Sequence, residues 1–149
     1  QAVEMLKTEA ANRNIVITKE FDPHLPVILS DPAQLEQVFI NIIDNAIDAI
    51  GRDGSLRIRT EVCEQGARIF FADSGPGMDE ETLKRIFDPF FTTKKVGEGT
   101  GLGLAICFTI LEKLGGRIEV QSQVGRGTTF CITLPLEPMQ GPQEEEIEE

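Results

Sequence analysis

From Asp31 to Ile50 the chain reads DPAQLEQVFINIIDNAIDAI, and Leu35, Val38, Phe39, Ile42, Ile43, Ala46, Ile47 and Ile50 recur at three- and four-residue spacing. That period puts one apolar stripe against a core and predicts a helix. Asp31 followed by Pro32 marks its start, because an Asp oxygen caps free amides and proline fits the first helical position, where no N–H is needed. Gln37, Asn41, Asn45 and Asp48 fall along another face. Asparagine competes with the backbone for hydrogen bonds inside a helix. Two of them one turn apart therefore either have a task or belong to a solvated face.

Patterning elsewhere is shorter-ranged. Ala2 to Asn12 has helix-forming composition, and Ile15, Ile17 and Phe21 alternate with polar residues as in a half-buried strand, with Val27 to Leu29 as a short partner strand. After a turn at Gly51 to Gly54, Leu56, Ile58, Thr60 and Val62 alternate with charged residues, and Ala67 to Ala72 completes a hairpin across Glu64, Gln65 and Gly66. Asp79 is placed to cap a short helix through Phe87, with Leu83, Ile86 and Phe87 facing inward and Pro89 ending it. Leu104, Phe108, Leu111 and Leu114 mark a helix from about Gly103 to Gly115 and Gly116. Ile118 and Val120, then Thr128 to Leu134, read as a closing hairpin around Val124 to Gly127.

Composition narrows the function classes. With 149 residues, 40% hydrophobic and 26% charged, the chain is one ordinary globular domain with enough apolar content for a core. The formal charge of -11 argues against unaided binding to nucleic acid or an anionic membrane surface. Glu144, Glu145, Glu146, Glu148 and Glu149 supply much of it, so the body carries about -6. From Pro138 onward the segment has the low hydrophobicity and like charge of a disordered tail. Cys63, Cys107 and Cys131 are widely spaced in apolar runs, the pattern of buried thiols in a reducing compartment and not of a disulfide or zinc framework. No apolar run approaches the roughly 18 residues of a membrane span, and no signal-peptide pattern is present. The first residue is Gln, which fits a piece of a longer protein.

The chemistry-bearing stretches lie at element ends. Asp73-Ser74-Gly75-Pro76-Gly77-Met78 puts an acid at a strand end before alternating glycines, which allow a tight turn and close backbone approach to a flat ligand. Aspartate accepts hydrogen bonds, so an exocyclic amine is a natural partner; an ordinary turn is the alternative. Lys94 and Lys95 stand out in an acidic chain, directly before Gly97, Gly99, Gly101 and Gly103. Glycines opening a helix make an anion site, because free amides and the positive dipole end converge there, and phosphate is the expected anion. A dinucleotide fold would need a strand just before those glycines, and a Walker loop would need Lys-Ser or Lys-Thr after them. Neither is present. His24, the single histidine, stands between two prolines, a turn context.

In order and spacing, NIIDNA, DSGPGM, DPFFTTK and GEGTGLGL resemble the N, G1, F and G2 boxes of the ATP-binding catalytic domain of bacterial sensor histidine kinases, members of the GHKL superfamily, and GRGTTF resembles the final glycine box. The short FFTTK lid and the NAIDAI ending look most like the nitrogen-sensing type. The resemblance runs from about Ile15 to Leu136. It implies the Bergerat ATP-binding fold, an α/β two-layer sandwich whose mixed sheet is covered on one face by helices. It divides the chain into an N-terminal helix or linker (1–13), an ATP-binding kinase domain (14–137) and the acidic tail (138–149).

What the resemblance implies for the site follows residue by residue. Asn45 would ligate the Mg²⁺ that bridges the ATP phosphates, and Asn41 would line the phosphate side. Asp73 would accept from the adenine amine, while Gly75 and Gly77 let base and lid approach. Gly99, Gly101 and Gly103 would bring amides to the phosphates, flanked by Thr93, Thr100 and Leu102. Phe90 and Phe91 would anchor the lid, and Lys94 is either a charge near the γ-phosphate or a solvated lid lysine. Gyrase-type and chaperone relatives carry Glu at the place of Asn41, where it activates water; an amide cannot act as that base. The implied activity is phosphoryl transfer from Mg-ATP to a histidine on an upstream helical dimerisation domain, with a response regulator downstream and a cytoplasmic location. The piece itself is expected to be a monomer and its parent a homodimer. An ATP-driven conformational switch and an anti-sigma-like serine kinase are the competing functions.

Overall fold

The computed structural model describes residues 2–23, 32–64, 66–91 and 102–135. In chain order these form α1 (Ala2–Asn12), β1 (Ile15–Glu20), α2 (Pro32–Ile50), β2 (Gly54–Cys63), β3 (Gly66–Asp73), α3 (Glu80–Leu83), α4 (Gly103–Lys113), β4 (Arg117–Gln123) and β5 (Gly127–Pro135). The strands make a sheet in the order β1-β2-β3-β5-β4. β1 runs parallel to β2 and the other pairs are antiparallel. The mixed sheet expected from the resemblance is present.

Alternation along the strands decides which face is covered. Leu56, Ile58, Ile69, Phe71, Ile118, Phe130, Ile132 and Leu134 are buried on one side. They pack with Val38, Ile42 and Ala46 of α2 and Cys107, Ile110 and Leu111 of α4 in a single core. The intervening positions carry Arg57, Arg59, Glu61, Arg68 and Glu119, paired with one another or with Glu20 and Arg117. These are solvated pairs, worth little to stability individually. A smaller cluster of Ala10, Ile15 and Ile47 seats α1 against β1 and α2. Arg13 closes that corner through Glu9 at 2.6 Å and Asp48 at 3.7 Å. Asp48, read from the sequence as part of the polar face of α2, is thus tied to a structural ion pair.

Several boundaries differ from the sequence expectation. β1 ends at Glu20, and Phe21 is 57% exposed beyond it. Asp79 does cap α3, accepting from the Thr82 amide at 2.8 Å, but the helix stops at Leu83 and not at Phe87. Short-range bonds from Arg85 to Thr82 O and from Asp88 to Arg85 O replace the α pattern there. Ile86 is still buried, with Leu83 and Phe87 packed on the core. In α4 the buried positions include Cys107, whereas Phe108 is 41% exposed and stacks on Phe87 at 5.8 Å. Of the three cysteines only Cys107 is buried; Cys63 and Cys131 are half-buried on the outer face or sheet end. The Asp31 cap, His24, the Val27 to Leu29 strand and the tail from Pro138 lie outside the described residues.

The end of α4 is built as expected. Gly115 has φ +81°, its amide donates to Glu112 O at 3.1 Å, and the Gly116 amide donates to Leu111 O at 2.8 Å. This paired closure needs a left-handed residue, which glycine adopts without steric cost.

Candidate functional site

α2 supplies one wall. Asn41 faces α4: its Nδ2 donates to the Gly103 carbonyl at 3.2 Å, and its Oδ1 accepts from Gln37 Nε2 at 2.9 Å. The same helix–helix seam holds Cys107, whose Sγ lies 3.6 Å from the Val38 carbonyl as donor. Burial pushes that thiol up to about 11, against a smaller opposing effect of Asn41, so it stays protonated and unreactive. Asn45, one turn after Asn41, is half-buried, and among the described residues its side-chain amide has no hydrogen-bond partner. A free amide oxygen on a rigid helix suits a hard cation that takes its remaining ligands from phosphate and water. Among the described residues no group of three His, Cys, Asp or Glu could hold a metal by itself.

α4 begins at Gly103 with no side-chain cap. Its first amides therefore lack a side-chain partner at the end where the dipole is positive. Thr93, Lys94, Gly99, Thr100 and Gly101 lie outside the described residues. Of the two expected lid anchors, Phe91 packs on the core with the Arg85 guanidinium 4.6 Å above its ring. Phe90 is 72% exposed with φ +70°.

The other wall starts at Asp73, the last residue of β3. It is 8% exposed, and its Oδ1 accepts from the Gly75 amide at 2.8 Å and the Thr128 amide at 3.3 Å. Both bonds go to one oxygen, so among the described residues Oδ2 is left for a ligand. Burial raises the carboxyl above the usual aspartate range, and the two backbone donations only partly offset it. Because the folded value is raised, the group's stabilising contribution is complete below the unfolded value and lost as pH rises through the folded one. Ligand binding runs the opposite way, since an amine needs the carboxylate as acceptor. A ligand that donates an amine hydrogen to this carboxylate would therefore lose affinity as pH drops through the raised value, and Asp73→Asn should remove that pH dependence in a calorimetric series.

The loop after Asp73 is clamped between α2 and the β4–β5 turn. A Cβ on Gly75 would stand 3.1 Å from the Ala49 carbonyl oxygen, so the loop rests on the end of α2. Gly77 has φ +78°, and a Cβ there would lie 2.0 Å from Gln123 O. Its close approach is to hairpin backbone. Gly125 donates to Pro76 O at 2.7 Å, and Met78 donates to Ser122 Oγ at 2.8 Å. Gly127, φ +86°, would place a Cβ 2.1 Å from Asp73 O, while Gly125, φ +84°, has nothing within 4 Å. Gly127→Ala is thus expected to destabilise the fold by about 3 kcal/mol or more, against about 1–2 for Gly125→Ala, where only the left-handed backbone is penalised. Thermal melting of the two variants checks this.

Thr128 and Ser122 join Asp73 through the register, which aligns Asp73 with Thr128 and Thr128 with Ser122. Neither was singled out from sequence as a site residue. Their one signal is a small polar side chain at an inward position of an alternating strand, after Ile118 and Val120 or before Phe130.

Taken together, an acid at a strand end, an asparagine helix and an uncapped glycine-started helix share the covered face of a mixed sheet. Residues 30–138 match the family described as histidine kinase-, DNA gyrase B-, and HSP90-like ATPase. The chain belongs to this family. Among relatives, it is 40% identical over 140 residues to the sensor histidine kinase ZraS of Klebsiella oxytoca, covering 93% of this chain and 30% of ZraS. It is 43% identical over 137 residues to sporulation kinase C of Bacillus subtilis (strain 168), covering 91% of this chain and 32% of that kinase. The chain thus spans about a third of the length of these relatives. The solved catalytic domain of histidine kinase ThkA, nucleotide-free, superposes with a TM-score of 0.81 at 34% identity, over 92% of this chain and 89% of that one. ThkA has also been solved in complex with the response regulator protein TrrA, with a TM-score of 0.75 at 31% identity over 90% of this chain and 38% of that one. Membership of the family accounts for the mixed sheet and for the five sequence boxes. Among the described residues no helix of this ATPase-family domain is long and apolar enough to cross a membrane.

Proposed function

We propose that this chain is the nucleotide-binding catalytic part of a sensor histidine kinase, which binds Mg-ATP and donates the γ-phosphoryl group to a histidine on a separate helical domain. One observation carries the reading. α2 touches the Asp73 loop at Ala49 and the start of α4 at Asn41. Those two points are eight residues apart, or about 12 Å along the helix axis. That is the span a nucleoside triphosphate needs between a base held by Asp73 and phosphates held at the first amides of α4.

In this reading Asp73 Oδ2 accepts from the adenine amine. Gly103 and the glycines before it present amides to the phosphates, with Thr93, Thr100 and Leu102 flanking them and Lys94 as a cationic partner in the lid. Asn45 is the residue of this chain that would hold Mg²⁺, which when bound neutralises phosphate charge. Asn41 is fixed by Gln37 and Gly103 and has no basic function, so it cannot activate water. Positioning without a hydrolytic base favours transfer to a protein nucleophile over ATP turnover. The relatives named as sensor histidine kinases support that assignment. The ThkA complex supports a response regulator as the downstream partner of the whole protein. Use of ATP supports a cytoplasmic location for the domain.

The test is transfer in trans. The chain is mixed with γ-labelled ATP, Mg²⁺ and the histidine-bearing helical segment of its parent. Acid-labile label on that histidine is expected. Steady release of inorganic phosphate with no label on the segment would instead point to an ATPase switch.

A further inference from the structure

β1 is one end of the sheet, and its outer edge has no strand neighbour among the described residues. Between α1, β1 and α2 the structure leaves an open groove of about 290 Å³. Leu6, Ile17, Ile43 and Ile58 make its lining apolar, and the exposed Lys7 and Lys19 complete it. The buried cluster that seats α1 is small, and Leu6, Ile17 and Ile43 around it are only partly buried. Lys19 has no ion pair among the described residues, whereas Glu20, on the opposite face of β1, is held by Arg57 at 2.7 Å. An apolar groove bordered by two cations suits an aliphatic side chain set among acids. The chain carries such a segment: Glu144, Glu145 and Glu146 precede Ile147, and Glu148 and Glu149 follow it. A stretch so charged and so poor in apolar residues cannot build a core of its own, so Ile147 gains burial only against another surface.

We propose that this groove is the docking site of the chain's own acidic tail: Ile147 seats against Leu6, Ile17 and Ile43, and the glutamates on either side of it pair with Lys7 and Lys19. The register shows that the segment can reach. Lys19 is level with Ile58, Phe71 and Phe130 across the sheet. From Pro135, the end of β5, that level lies five residues back, or about 17 Å, and β1 lies three strand spacings away, or about 14 Å. The twelve residues from Leu136 to Ile147 span up to about 40 Å when extended. Because the segment is tethered, its effective concentration at the groove is on the order of millimolar, so a contact of this modest size is enough to hold it. The docked tail acts as a strap that adds to the small cluster holding α1, and salt loosens it by screening the lysine–glutamate pairs.

The experiment treats the full chain, at low protein concentration, with a water-soluble carbodiimide, which joins a lysine amine to a carboxylate in direct contact, and maps the joined peptides by mass spectrometry. Couplings of residues 144–149 to Lys7 and Lys19 are expected to dominate those to Lys84 and Lys113, which are exposed elsewhere on the domain. Ile147→Ser should lower the couplings to Lys7 and Lys19 by about fivefold or more, because the aliphatic side chain is what seats the segment, and Ile147→Leu should keep them. Both substitutions lie in the tail, so the fold of the domain is not at stake. A tail that couples equally to all four lysines, or couplings that Ile147→Ser leaves unchanged, would overturn the proposal. Couplings found only between two copies of the chain would overturn it as well, by making the occupant another molecule's tail. No nucleotide takes part in the measurement, so its outcome is independent of the proposed function.

Discussion

Asp73→Asn is expected to lower ATP affinity by about tenfold to a hundredfold, or roughly 1.5–3 kcal/mol, the range for a hydrogen bond to a charged group. The substitution isolates the ligand contact. An asparagine oxygen can still accept from the Gly75 and Thr128 amides, as Asp73 Oδ1 does at 2.8 and 3.3 Å. The amide NH₂ that replaces Oδ2 would face the base amine as a second donor. Folding should therefore change little while binding falls. Purine riboside triphosphate, which lacks the amine, separates the two effects: it should bind the unaltered chain more weakly than ATP does, and the variant should lose that preference for ATP. Equal ATP affinity for both proteins would remove Asp73 from base recognition.

Asn45→Ala is expected to abolish the benefit of Mg²⁺ for ATP binding and to reduce transfer to the histidine segment by about a hundredfold or more. Losing even an outer partner of a metal site commonly costs ten- to a hundredfold. Asn45 is half-buried, and among the described residues its amide has no partner to lose, so the melting temperature should move little. Asn45→Asp keeps an oxygen for the cation and should recover part of the transfer. Asn41→Ala differs in kind, because it frees the Gly103 carbonyl and Gln37 at the α2–α4 seam. A Mg²⁺ dependence unchanged in Asn45→Ala would place the cation elsewhere.

The long helices were legible because their signals are local. α2 runs from Pro32 to Ile50 as its apolar period predicts, and α4 runs from Gly103 to the double-glycine closure. Weaker local signals failed where tertiary packing decided the outcome. Phe108 is a large apolar residue at helical spacing, yet the space facing α2 admits Cys107, and Phe108 turns to Phe87. Phe87 lies beyond the end of α3 because a four-residue helix has little intrinsic stability and the chain passes into short-range turns.

The candidate site divides the same way. Asp73 and the glycines could be read as a set because acid, turn and glycine lie within a few residues of one another. Their contacts could not. Gly77 meets Gln123 and Gly127 meets Asp73, each across about fifty residues of chain, and strand register alone brings Thr128 and Ser122 beside Asp73. Register depends on which strands pair, and no short motif records that.

The most direct measurement is a calorimetric titration of this chain with ATP, with and without Mg²⁺. A single saturable heat that weakens without Mg²⁺, with no continuing heat of hydrolysis, is the result expected of a kinase domain separated from its histidine. Continuing heat after saturation would contradict the absence of a hydrolytic base at Asn41. No heat of binding would contradict the nucleotide site itself.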